Sequence, residues 1–155
     1  KDIFPVEMEF IKGLGHGGLP DRDKIKEMYP HHRNPVPKHL TWDLTDSVIK
    51  DFYWLSVSQP AKQQTIEAVI KDNAIEITTK KIEHATLWLD GRLVNLSKPV
   101  HLAVNGSKQV VELRPSFSAL CRSMLQRGDP RLAFTCLVPL APDSANAGIT
   151  HVPAR

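Results

Sequence analysis

Between residues 72 and 106 lie three dipeptides that tolerate left-handed backbone: Asp72-Asn73, Asp90-Gly91 and Asn105-Gly106. Each is flanked by short apolar runs. Two-residue turns of this composition match the twist of paired strands, and alternation places every second side chain on one buried face. The pattern points away from an all-helical fold and predicts hairpins. Ile66, Ala68 and Ile70 enter the first turn, and Ile75 to Thr78 leave it. Ala85, Leu87 and Leu89 enter the second, and Leu93 to Leu96 are expected to leave it as a strand. Val100, Leu102 and Val104 enter the third, answered by Val110 to Leu113. Two earlier runs, Leu40-Trp42-Leu44 and Tyr53-Leu55-Val57, read as further half-buried strands.

One helix interrupts this pattern. Pro115-Ser116 supplies a start and a cap, and Gly128 a left-handed stop before Asp129-Pro130. Phe117, Leu120, Cys121, Met124 and Leu125 recur at helical spacing, which predicts that this stripe lies on a sheet. Leu132 to Val138 then reads as a last strand, and residues 141–155 lack periodicity and predict a disordered tail. The fold class is mainly β: a two-sheet antiparallel sandwich, immunoglobulin-like or jelly-roll-like, with one packed helix. A strand-loop-helix segment precedes it.

That segment differs in kind from the rest. Val6, Met8 and Phe10 alternate as in a strand; Gly13-Leu14-Gly15-His16-Gly17-Gly18 follows; Asp21 to Tyr29 reads as a helix with Asp21 at its cap and Pro30 at its end. Asn34 to Pro37 carries two prolines in three residues and reads as a stiff connector. The expected organisation is therefore 1–33, a linker at 34–37, a sandwich at 38–140 and a tail at 141–155.

Twenty basic and 17 acidic residues give a net charge of +3 without a dense basic block, which argues against a nucleic-acid partner. No apolar run is long enough for a membrane helix, and the first residues lack a signal-peptide core. No cofactor motif is found. Cys121 and Cys136 lack the spacing of a redox or zinc motif and read as two buried free thiols.

Residues 13–18, the string His-His-Arg-Asn-Pro-Val-Pro-Lys-His-Leu at 31–40 and Phe-Tyr-Trp-Leu at 52–55 together resemble the C-terminal part of bacterial α/β-hydrolases. The type is that of dienelactone hydrolases, polyhydroxybutyrate depolymerases and prolyl-oligopeptidase-like enzymes. Leu-Trp-Leu-Asp-Gly at 87–91 and Arg-Gly-Asp-Pro at 127–130 resemble a β-rich domain that some members append. The resemblance implies that residues 5–33 correspond to the final strand, histidine loop and last helix of the hydrolase, with His16 at the position of the triad histidine. It also implies a periplasmic or secreted setting.

The rest of that machinery has no counterpart here. No serine sits in a Gly-x-Ser-x-Gly elbow, and no oxyanion loop is found. A histidine acts as a general base only on a nucleophile within hydrogen-bond reach, so this chain alone is not expected to be an enzyme. His16 is a catalytic candidate only within a longer parent.

Other clusters are weaker. His31 and His32 point apart on an extended chain, while His39, His84 and His101 would form a metal site only if their strands converged. Trp42, Trp54 and Trp88 are candidate binding residues, as a stacking platform for a polysaccharide or polyester. Asn95-Leu96-Ser97 and Asn105-Gly106-Ser107 match a glycosylation acceptor pattern that chance often produces.

The function expected is a non-catalytic accessory module from the end of a serine hydrolase, serving packing, substrate positioning or self-association. Its partners would be the parent's hydrolase domain or a second copy through residues 1–33. A stand-alone carbohydrate- or polyester-binding sandwich is the alternative.

Overall fold

The computed structural model describes residues 11–13 and 21–141. The chain divides into two compact units, residues 1–34 and 35–155. In the first, helix α1 covers Asp21–Met28, and Lys24–Glu27 and Lys26–Asp23 pair along it at 3.2 Å each. Ile25, Met28 and Tyr29 are exposed. His16 and residues 6–10 of the expected strand lie outside the described residues, as do positions 142–155 of the tail.

The second unit is mainly β. Its strands are β1 (His39–Leu44), β2 (Asp51–Phe52), β3 (Leu55–Val57), β4 (Gln64–Lys71), β5 (Ala74–Lys80), β6 (Ala85–Leu89), β7 (Val100–Val104), β8 (Ser107–Val111) and β9 (Cys136–Leu140). Helix α2 covers Phe117–Arg127. One sheet has the order β1-β4-β5-β7-β8 and the other β2-β3-β6-β9. Every pairing is antiparallel except that of β5 with β7. The two-sheet sandwich with one packed helix is therefore the observed architecture.

Alternation builds the first sheet. Leu40, Trp42 and Leu44 on β1, Ile66, Ala68 and Ile70 on β4, and Ile75 and Ile77 on β5 are buried, while Thr41, Asp43 and Glu67 between them are exposed. Those buried side chains join Leu55, Val57, Ala85, Leu87, Leu89, Val138 and Leu140 of the second sheet in one core. Two of the three expected turns form. Asp72 takes φ +54° between β4 and β5, and Asn105 and Gly106 take +48° and +84° between β7 and β8.

The third turn does not form a hairpin. The Asp90 carboxylate accepts from the Arg92 amide, and its carbonyl accepts from the amides of Leu93 and Val94, which winds the chain into a helical-type turn. Leu93 and Val94 are both buried although adjacent, so no strand forms at 93–96. The segment instead returns the chain from the second sheet to the first. This crossover is what a parallel β5–β7 pair requires. Asn73 fastens it: its Oδ1 accepts from the Asn95 amide at 2.8 Å, and its Nδ2 lies 2.8 Å from the Pro99 carbonyl.

Other expectations are also corrected. Tyr53 to Val57 is not one strand, because Tyr53 takes φ +51° and turns the chain between β2 and β3. Leu132 falls in a 3-10 turn, Pro130–Leu132, and the last strand begins only at Cys136. The prolines near residue 36 belong to the sandwich: Val36 packs on the core, and the Pro37 carbonyl accepts from the Trp54 indole at 2.7 Å.

Candidate functional site

The end of α2 explains how this helix sits. Ser116 caps the start by accepting from the Ala119 amide, and Gly128, at φ +62°, closes the end by donating to the Met124 carbonyl. Between these caps, the buried residues are Ala119 and Ser123. Both are small, which lets the helix approach closely. The Ser123 hydroxyl accepts from the Phe134 amide at 2.9 Å and lies 2.9 Å from the Leu120 carbonyl, to which it donates.

One turn further on, Arg127 completes the same face. Its side chain is only 2% exposed and forms an ion pair with Asp51 at 3.5 Å. It donates to Ser56 Oγ at 3.1 Å and lies over the rings of Trp88 (5.6 Å) and Phe134 (5.7 Å). Ser56 donates to Asp51 at 2.5 Å and accepts from the Trp88 indole at 2.7 Å, and Gln126 donates to Asp51 at 2.6 Å. Asp51 and Ser56 face each other across β2 and β3, so the hairpin that Tyr53 creates is what assembles the network. Burial lowers the Arg127 pKa and the Asp51 charge opposes that shift. The guanidinium stays protonated in either case. Its Nε–H is buried and has no acceptor among the described residues, while the guanidinium carbon lies over the Trp88 and Phe134 rings.

The consequence is the reverse of the expected packing. The face of Ala119, Ser123 and Arg127 meets the second sheet, while Phe117, Met124 and Leu125 are exposed at 79%, 43% and 86%. Of the stripe expected on the sheet, Phe117, Met124 and Leu125 are turned to solvent, while Leu120 and Cys121 at its margin are half-buried. A helix turns its bulky side outward here because the other side carries the cation that β2, β3 and β6 are built to receive. Large exposed apolar side chains grouped on one face mark an interaction surface rather than scattered surface residues. Arg122 lies three residues from Leu125, and the helix contains no acidic residue.

The residues proposed from sequence fall elsewhere. Trp42, Trp54 and Trp88 are core residues, exposed at 8%, 0% and 2%, so none offers an open ring for stacking a ligand. Trp42 stacks on Phe52 instead. His39 lies on β1 and His101 on β7, with β4 and β5 between them, and His84 precedes β6 in the other sheet. They do not converge, and no group of three potential metal ligands occurs among the described residues. Both cysteines are free, but only Cys136 is buried; Cys121 is half-exposed on α2. Burial raises the Cys136 thiol pKa. No helix among the described residues is long and apolar enough to cross a membrane.

Sequence reasoning missed Arg127, Asp51 and Ser123. A signal was present: Ala119, Ser123 and Arg127 recur every four residues, the spacing of one helical face. Comparison of the chain with protein-family models, with curated proteins and with solved structures finds no match.

Proposed function

We propose that this chain is a non-catalytic accessory module whose outward α2 face docks on an apolar, acid-rimmed surface of a catalytic domain. The observation that carries this is the orientation of α2. A well-packed sandwich holds its helix by a part-buried ion pair and leaves Phe117, Met124 and Leu125 uncovered. Charge selects the partner. The exposed charge on the helix is Arg122, with Arg131 exposed nearby, so a second copy would bring like charges together, whereas an acidic rim would pair with them.

The resemblance of residues 13–18 and 31–40 to the end of an α/β-hydrolase supports a serine hydrolase as the parent and as the source of that surface. The same resemblance supports bacterial origin, and the sandwich would be of immunoglobulin-like or jelly-roll-like type. His16 would then serve in the parent's triad and not in this chain alone.

Three measurements test the proposal. The encoding DNA is expected to contain an in-frame nucleophile elbow upstream of Lys1; a closed reading frame there contradicts the parent. The purified chain is expected to leave p-nitrophenyl esters intact, and turnover abolished by His16→Ala would overturn the non-catalytic role. In sedimentation the chain is expected to be monomeric. A dimer dissolved by Phe117→Ser with Leu125→Ser would assign the face to self-association instead.

A further inference from the structure

A recess lies where the β3–β4 and β5–β6 connections meet, and no residue of α2 lines it. Its volume is about 240 Å³. Both connections pass between the two sheets, so the recess is framed by loops anchored at each end in strands.

The frame is fixed by one amide. Gln64 accepts from the Ala61 amide at 2.8 Å and donates to the carbonyls of Gln59 at 3.2 Å and Lys81 at 2.9 Å. A single side chain thus ties the two loops together. The Ser58 amide donates to the His84 carbonyl at 3.4 Å, and Lys81 Nζ donates to Gln63 at 2.8 Å. Gln63 and Lys81 are themselves held at φ +68° and +58°, a region that residues other than glycine seldom occupy. Strain of this kind persists only where the surroundings enforce it, and it concentrates at ligand clamps.

Against this fixed frame, four exposed lining side chains make no hydrogen bond among the described residues: Ser58, Gln59, Glu83 and His84. They offer a hydroxyl, an amide, a carboxylate and an imidazole, which alternate donor with acceptor. Lys81 and Glu83 carry opposite charges, so the recess favours neither an anion nor a cation. Its volume is below the 300–1,000 Å³ or so that holds drug-sized ligands, which limits it to about one ring.

We infer that this recess binds a neutral polyhydroxylated ligand, a single sugar residue or the end of a glycan, through Ser58, Gln59, Glu83 and His84. Neighbouring hydroxyls both give and accept hydrogen bonds, which is what this set requires. The site is independent of the α2 face, so either can fail without the other.

The test is an amide NMR titration of the full chain with glucose, galactose, mannose and N-acetylglucosamine. At least one sugar should give a saturable, millimolar-range shift confined to Ser58, Gln59, Gln64, Glu83 and His84. His84→Ala and Gln59→Ala should each weaken it about tenfold, the worth of one strong hydrogen bond, with the remaining spectrum unchanged. Phe117→Ser with Leu125→Ser should leave it as it was. No saturable shift with any of the four sugars overturns the inference. So do shifts that map elsewhere, or a stronger response of the same amides to inorganic phosphate or acetate.

Discussion

The two sheets of the sandwich are built on different terms. The five-stranded sheet buries one face, so β1, β4, β5 and β7 alternate with Leu, Ile, Val, Ala and Trp toward the core, while the edge strand β8 is exposed almost throughout. The four-stranded sheet is covered on both faces, by the first sheet and by α2. Trp54 to Val57 are all buried, as are Leu87, Trp88 and Leu89. Between that sheet and the helix lies not an apolar layer but a polar one: Asp51, Ser56, Ser123 and Arg127 closed over by Trp88 and Phe134. What the difference teaches is that covering a sheet with a helix does not require the helix's most apolar face. A largely buried cation, paired with Asp51 and Ser56 and stacked on Trp88 and Phe134, lies on the packed side and leaves the apolar face free for a partner.

The largest expected effect breaks the polar layer at its floor. Trp88→Ala removes the ring beneath Arg127 and the donor to Ser56, and should cost about 3–5 kcal/mol in denaturant unfolding. Ile66→Ala in the first sheet should cost about 2–5 kcal/mol by cavity formation alone, without moving α2. Next comes the ion pair. Arg127→Ala should cost about 3 kcal/mol, because Asp51 loses its partner and the stem loses its packing. Arg127→Met combined with Asp51→Asn should recover most of that loss, to within about 1.5 kcal/mol of the parent chain. A double variant no better than Arg127→Ala would show that neither the packing of the stem nor relief of the Asp51 charge accounts for the loss, leaving the ion pair itself as what holds the helix. Ser123→Ala leaves the Phe134 amide without its acceptor and should cost about 1–3 kcal/mol.

The smallest effects are those of pH and thiol access. The Cys136 thiol pKa is raised in the folded state, so as pH rises the unfolded chain ionises first. Its contribution is complete below the ordinary thiol range and is lost as pH climbs through the folded value. Cys136→Ala should therefore flatten the alkaline slope of stability, and an unchanged slope would contradict this. A disulfide reagent should label Cys121 in the native protein and reach Cys136 only on unfolding. Asp46 runs the opposite way. The amides of Ile49 and Val48 lower its pKa, so its small contribution is present above the ordinary carboxylate range and is lost as acid protonates it.

What the chain declares in advance follows the same division. β1, β4, β5 and β7 were legible because a sheet with one wet face writes alternation into its residues, and because Asp72 and Asn105-Gly106 have the backbone freedom their turns demand. β8 was only partly so, since the expected run Val110 to Leu113 overlaps it at Val110 and Val111 alone and the tight turn starts the strand at Ser107, among exposed residues. The second sheet was less legible because two covered faces erase alternation. Tyr53 looked like a strand residue and is a turn. Asp90-Gly91 has the composition of a hairpin, but the Asp90 carboxylate and carbonyl capture the next amides first. The α2 boundaries followed from Ser116 and Gly128. Its orientation did not, since the partners that fix it, Asp51 and Ser56, are far away in the sequence. The expected tryptophan platform failed for the same reason: a pattern that shows a residue to be aromatic does not show on which side of a sheet a second layer waits.

The orientation of α2 is most directly measured by hydroxyl-radical footprinting of the native chain with residue-level readout. Phe117, Met124 and Leu125 should be modified at rates near those of the unfolded chain, while Phe134 and Trp88 stay protected. Protection of Phe117 and Leu125 to the level of Phe134 would mean that the apolar face is already covered, and would contradict a helix held by Arg127 with its docking face outward.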